Sequence, residues 1–180
     1  TTSVPTGRAG LAYAGIPSSM ALGGPSYLCG LRQNAADRSN VALQNVGSSS
    51  AGAITLRLTV FSGDGSGASQ TLPDQVLPPG SFVQISGILT SNGLSLNNGY
   101  VRVERVSGTA PYYAYGVIND QANSDGSFIP PISESSLAGK TRLTLPVVVE
   151  NTTFSTELVI TNWSSARKTL SFSYVTDAIQ

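Results

Sequence analysis

Histidine is absent from this chain of 180 residues. Its absence removes the commonest general base, the Ser-His-Asp and Cys-His arrangements and most zinc sites together. Charge is scarce as well: ten basic and ten acidic residues cancel, and charged positions make up 11% of the chain, against about 25% in typical globular proteins. A nucleic-acid partner is not expected, because no basic stripe exists to displace counterions from phosphates; the basic clusters are pairs such as Arg167-Lys168 and Arg102 with Arg105. Cysteine is reduced to Cys29, which cannot form an internal disulfide and reads, within Tyr27-Leu28-Cys29-Gly30, as a small buried hydrophobe. No run approaches the roughly 20 apolar residues of a membrane-spanning helix. Thr1-Thr2-Ser3 has neither the basic start nor the apolar core of a signal peptide, so an exported chain is expected with its signal already removed.

What fills the space is glycine, proline and small polar residues, with 19 Gly and 10 Pro. These replace the Lys and Glu that usually cover a cytosolic surface, while β-branched and aromatic residues fill the hydrophobic runs, which is the habit of a secreted all-β protein. Period-two alternation dominates. Ile54, Leu56, Leu58 and Val60 share one strand face, with Thr55, Arg57 and Thr59 on the other. Val41 and Leu43, Val101 and Val103, and Leu170, Phe172 and Tyr174 follow the same rule. Less regular apolar runs at Phe82 to Ile88, with a bulge at Gly87, at Tyr112 to Ile118 and at Leu143 to Val149 predict further strands. Turn signals recur between them, among them Gly63-Asp64-Gly65, Pro78-Pro79-Gly80, Asn98-Gly99, Asp125-Gly126 and Pro130-Pro131. Only Ser133 to Lys140 has a weak helical pattern, with Ser133 as cap and Gly139 as stop. The expected fold is an all-β antiparallel β-sandwich of immunoglobulin-like or jelly-roll-like packing, as one sandwich or as two pseudo-repeated ones.

Two echoes set the domain plan. Tyr13 placed on Tyr115, an offset of 102, matches Ala12 with Ala114 and Ile16 with Ile118; Asn45 placed on Asn162, an offset of 117, matches Leu28 with Leu145, Asn34 with Asn151, Ser39 with Thr156, Val41 with Leu158 and Leu43 with Ile160. One complete unit is then expected at 27–132, with 1–26 as the back half of a unit and 143–180 as the front half. The terminal portions can close on each other within the chain, extend one enlarged sandwich over 1–180, or meet between neighbouring molecules head to tail. Closure within the chain is the expectation, because an incomplete sandwich exposes edges that invite aggregation.

The run Asn-Val-Ala-Leu-Gln-Asn at 40–45, the Pro-Gly strand at Pro79 to Ile85, Ala-Tyr-Gly-Val-Ile-Asn-Asp at 114–120 and Ser-Asp-Gly-Ser-Phe-Ile-Pro-Pro at 124–131 together resemble the uncharacterised tandem β-sandwich repeat domains of secreted bacterial surface proteins. The resemblance covers 27–132 and parts of both ends. It implies an extracellular location, secreted or at the cell surface, and a sandwich fold rather than an activity.

Candidate chemistry is sparse. Glu104, Asp120, Asp125, Glu134, Glu150 and Glu157 stand in no recognisable catalytic context, and the chain is expected not to be an enzyme. Asn119-Asp120-Gln121-Ala122-Asn123-Ser124-Asp125-Gly126 alternates oxygen donors before a glycine, so Asp120, Asn123 and Asp125 are candidate calcium ligands; the same residues also build ordinary turns, and the bidentate Glu of an EF-hand is missing. Tyr112 and Tyr113 with Tyr100 are candidate sugar-stacking residues, although Tyr113, Tyr115 and Val117 share a face that suits core packing. Gly63 to Gly67 lacks the Lys of a phosphate loop and reads as a flexible hairpin. Asn151-Thr152-Thr153 and Asn162-Trp163-Ser164 fit the glycosylation acceptor pattern, which Ser/Thr-rich chains produce often by chance. The expected role is a structural or adhesive module whose partners are other copies or neighbouring repeats; the alternative is a carbohydrate- or calcium-dependent binding domain, with glycans as partners.

Overall fold

Alternation along the middle of the chain produces two facing sheets. The computed structural model describes residues 2–4, 7–13, 15–92, 97–153 and 155–175. Among the described residues twelve strands follow in order: β1 (Thr2–Val4), β2 (Gly7–Ala9), β3 (Ser26–Arg32), β4 (Asp37–Asn45), β5 (Ile54–Ser62), β6 (Ser69–Thr71), β7 (Gln75–Leu77), β8 (Phe82–Ile85), β9 (Asn98–Ser107), β10 (Tyr112–Asp120), β11 (Gly126–Ile129) and β12 (Ile132–Ser133). A four-stranded sheet runs β11-β10-β4-β8, and a six-stranded sheet runs β12-β3-β9-β5-β6 with β7 also on β5. Every pairing is antiparallel. The protein is an all-β sandwich.

The core lies where the alternation places it. Ile54, Leu56, Leu58 and Val60 are fully buried while Arg57 points out to a bidentate ion pair with Asp74 at 2.9 and 2.8 Å. Val101 and Val103 of β9 and Val41 and Leu43 of β4 meet them from the neighbouring strand and the opposite sheet. Leucine and valine side chains buried in this way contribute ~1.5–3 kcal/mol each.

Tyr112 ties the layers together. Its ring is fully buried, and its hydroxyl lies 2.8 Å from the Gly24 carbonyl oxygen, 3.0 Å from that of Val103 and 3.2 Å from Ser26 Oγ. One hydroxyl proton serves one carbonyl at a time, and the oxygen accepts from Ser26. The Tyr112 backbone also exchanges two hydrogen bonds with Leu22, at 2.7 and 3.0 Å, anchoring the segment that leads into β3.

Three expectations need correction. The core face of β10 carries Tyr112 and Ala114, so Tyr113 and Tyr115 lie on the outer, half-exposed face; the phase of the alternation is set by β4, whose buried Leu43 stands opposite Ala114. The strand expected over Phe82 to Ile88 ends at Ile85. Gly87, at a φ of 57° in the left-handed region, begins a turn whose amide donates to Asn40 Oδ1 at 2.9 Å. The strands expected at Leu143 to Val149 and Leu170 to Tyr174 are not formed: described residues 141–153 and 155–175 carry no strand. Their alternation supplies an apolar face, but a ladder also needs neighbouring strands, and none pairs with them among the described residues. The weak helical pattern after Ser133 becomes a 3₁₀ turn, Glu134–Leu137.

Candidate functional site

The three candidate tyrosines occupy three separate places. Tyr112 is sealed in the core, and burial pushes its phenol up to about 12. Tyr113 shares the outer face of β10 with Tyr115, their rings 6.4 Å apart. Tyr100 lies on β9, in the other sheet, with one face stacked on Phe61 at 4.8 Å and 7°. Burial also raises the Tyr113 and Tyr100 phenols. No common stacking platform forms from them.

Asp120, Asn123 and Asp125 are brought together in the β10–β11 turn, where their oxygens face amides. Asp120 Oδ1 accepts from the Ala122 amide at 2.6 Å and the Asn123 amide at 3.3 Å; Asn123 Oδ1 accepts from the Asp125 amide at 2.7 Å. Asp125 Oδ1 accepts from the Gly10 amide at 3.2 Å. Ser124 takes a φ of 62° to close the turn. This is the turn-building use of Asx side chains, in which a carboxylate mimics a backbone acceptor.

The two ends of the chain dock on opposite outer faces of the sandwich. Tyr13 packs edge-on against Tyr115, its own echo, at 5.4 Å and against Phe128 at 5.6 Å, on the outside of the four-stranded sheet. The C-terminal segment lies on the outside of the six-stranded sheet. There Trp163 stacks on Tyr27 at 4.2 Å and 5°, Glu157 pairs with Arg32, and Val159 lies against Gly30. Gly30 has a φ of 77° beside the break in β3–β9 register, and a Cβ there would sit 3.2 Å from Val159 Cγ1. Burial holds the Cys29 thiol above its ordinary range, against a hydrogen bond from Thr161 that lowers it.

Hydrogen bonds of the same form occur in the sandwich and in the C-terminal segment. Ser39 Oγ accepts from the Arg32 amide and donates to the Arg32 carbonyl, both at 2.8 Å; Thr156 Oγ1 accepts from the Val149 amide at 2.8 Å and donates to the Val149 carbonyl at 3.0 Å. Asn34 and Asn151 each accept, through Oδ1, from the amide two residues on, at 2.8 Å in both. Asn45 and Asn162 do the same at 2.9 and 3.1 Å. Each of these pairs is 117 positions apart. The amides of Asn45 and Asn162 then donate to Gly52 and Ala166 carbonyls, 114 apart, and that shorter offset places Leu170, Phe172 and Tyr174 on Leu56, Leu58 and Val60.

Matching positions differ in burial. Leu28, Val41, Leu43 and Leu58 are 0% exposed, whereas Leu145, Leu158, Ile160 and Phe172 are 55%, 45%, 52% and 69% exposed. Covering a half-exposed side chain of this size yields roughly 1 kcal/mol. Six such positions, Leu145, Leu158, Ile160, Leu170, Phe172 and Tyr174, therefore hold several kcal/mol, a sizeable share of the ~5–15 kcal/mol that stabilises a whole domain. The docking contacts of Tyr27, Gly30 and Arg32 carry no alternation signal and leave no trace in the sequence.

Between the C-terminal segment and the sandwich lies an open cleft of about 610 Å³, lined among others by Arg32, Asn34, Asn98, Tyr100, Glu157 and Asn162. Among the described residues no group of three or more Cys, Asp or Glu side chains is placed to hold a metal ion. No described helix is long and apolar enough to cross a membrane.

No protein-family model matches the chain, and no curated protein matches it. Among solved structures, the crystal structure of Thermotoga maritima 1070 is similar over 62% of this chain and 94% of that one, with 12% identity and a TM-score of 0.48.

Proposed function

We propose that the chain is a non-enzymatic structural or adhesive β-sandwich module of a secreted or cell-surface protein, made to join other copies or neighbouring repeats in a tandem or head-to-tail array. The observation that carries this reading is the recurrence of the Ser39–Arg32 hydrogen-bonded corner at Thr156–Val149, beneath apolar positions that are buried in the first setting and exposed in the second. A repeat that cannot bury its own face is stabilised by a neighbour that covers it. The scarcity of charge, the lack of histidine and the resemblance to tandem surface repeats agree with it. The test is a genetic fusion of two copies. It should melt at a higher temperature than one copy, because the internal junction brings a front half and a back half together; equal melting temperatures would overturn the reading.

The cleft beside Tyr100 favours one second reading, a carbohydrate-binding domain, since Arg32, Asn34 and Asn98 supply polar groups around an aromatic ring. A glycan array separates the two. Binding that Tyr100→Ala abolishes would support recognition, and silence on every glycan leaves the scaffold.

A further inference from the structure

Within the complete unit, β10 covers β4 in a fixed register: Tyr112 opposite Asn45, Tyr113 opposite Gln44, Ala114 opposite Leu43 and Tyr115 opposite Ala42. The echoes transfer that register without adjustment. Moving β10 back by 102 positions and β4 forward by 117 sets Gly10 opposite Asn162, Leu11 opposite Thr161, Ala12 opposite Ile160 and Tyr13 opposite Val159.

In a single molecule these two segments lie on opposite outer faces of the sandwich, Tyr13 on Tyr115 and Phe128, Trp163 and Val159 on β3. The strand that fits each C-terminal half-unit is therefore presented on the far side of its own chain, and on the near side of a copy stacked head to tail. We infer that Gly10–Tyr13 of one copy adds as an antiparallel strand to Val159–Asn162 of the next, in the register of β10 on β4. The occupant is a second copy of this chain. Small Ala12 then lies over Ile160 as Ala114 lies over Leu43, and Ile160, 52% exposed in the lone chain, becomes a buried side chain like Leu43. Because the two ends of the molecule differ, the contact is heterologous and propagates rather than closing on a twofold axis. Backbone hydrogen bonds supply affinity and the alternate side chains supply register, as in other cases of strand addition. The inference rests on the array reading and adds the partner segment and the register to it.

The experiment is disulfide trapping in a Cys29→Ala background. Leu11→Cys with Thr161→Cys should give dimers and longer ladders on oxidation, increasing with protein concentration, because directly opposite residues bring Cβ atoms to ~4.5–5.5 Å. Ala12→Cys with Thr161→Cys, slipped by one residue and pointing to opposite faces, should give none. Ladders of equal strength from both pairs, a cross-link at monomer size, or no cross-link at any concentration would overturn the inference. Sedimentation of the cysteine-free chain provides a second reading. Ile160→Asp should weaken association roughly a hundredfold or more, since it buries a charge at the contact, while leaving the melting of the sandwich unchanged; undiminished association would overturn the inference. If the two-copy fusion gains stability while the cross-link fails, the register is wrong and the array reading stands. If both fail, both fall.

Discussion

Ser39 and Thr156, 117 positions apart, each clamp the backbone amide and carbonyl of the residue seven positions before them. A hydroxyl is the one small side chain that both accepts and donates in this way, and serine and threonine are interchangeable for it. The pair therefore builds the same local corner at two places in the chain. Ser39 is fully buried, while Thr156 is exposed.

Ser39→Ala removes both hydrogen bonds from a buried site and should destabilise the sandwich by about 1–3 kcal/mol. Thr156→Ala removes the same bonds where water can replace them, and should move the main urea transition by less than about 0.5 kcal/mol. Equilibrium unfolding of the two variants measures the contrast. Equal losses would mean that residues around Thr156 already belong to the cooperative core.

Gly30 offers a test of docking. Its φ of 77° penalises any side chain, and its missing Cβ leaves room for Val159. Gly30→Ala should cost about 1–2 kcal/mol from backbone strain alone, plus a contact component that Val159→Ala relieves. A double-mutant cycle in urea isolates that component. Strict additivity would show that Val159 does not rest on β3 in solution.

Trp163 is the only tryptophan in the chain and stacks on Tyr27. Its emission should move to longer wavelength in Tyr27→Ala, because removing the ring wets the indole, while far-ultraviolet dichroism stays unchanged. An unmoved emission maximum would mean that the C-terminal segment is held elsewhere.

How much of this was legible depended on whether a feature repeats with period two. β5 was readable outright, since Ile54, Leu56, Leu58 and Val60 announce a face and the structure buries all four. On β10, Tyr113 and Tyr115 are large and apolar enough to pass for core, yet Tyr112 and Ala114 pack inward, Ala114 opposite the buried Leu43. Leu143 to Val149 and Leu170 to Tyr174 carry a strand's alternation without a strand, because pairing is a property of neighbours and not of the segment. Among candidate site residues, the Asp120 to Asp125 cluster was correctly placed as one loop, whereas nothing in the sequence separates an oxygen aimed at a cation from one aimed at an amide. The Trp163–Tyr27 stack joins residues far apart in the chain and leaves no local trace.

The loop itself yields a prediction. Asp120 already accepts two amides and Asp125 a third, from Gly10. Calcium should therefore give no heat in titration calorimetry, and chelator should leave the melting temperature unchanged. Asp120→Ala should loosen the turn equally with and without the ion. A calcium-dependent rise in melting temperature that Asp120→Ala removes would show instead that the carboxylate is a ligand.

Tyr112 makes the stability of the sandwich depend on alkaline pH. Burial raises its phenol from 10.0 to about 12, with the hydrogen bond from Ser26 and the charges of Arg105 and Arg102 opposing that rise. A group whose folded value is raised contributes stability that is fully present below its unfolded value, declines above it and is lost once pH has passed the folded value. The window is therefore pH 10 to 12, and a shift of about two units corresponds to roughly 3 kcal/mol. Tyr112→Phe separates this titration from general alkaline damage. It should cost about 1–3 kcal/mol at neutral pH, because Ser26 and the Gly24 and Val103 carbonyls lose their partner, and it should flatten the decline between pH 10 and 12. Urea unfolding of both proteins across that range decides the matter. A decline of the same slope in Tyr112→Phe would assign the alkaline loss to the half-exposed tyrosines, Tyr113 and Tyr100, whose phenols are also raised.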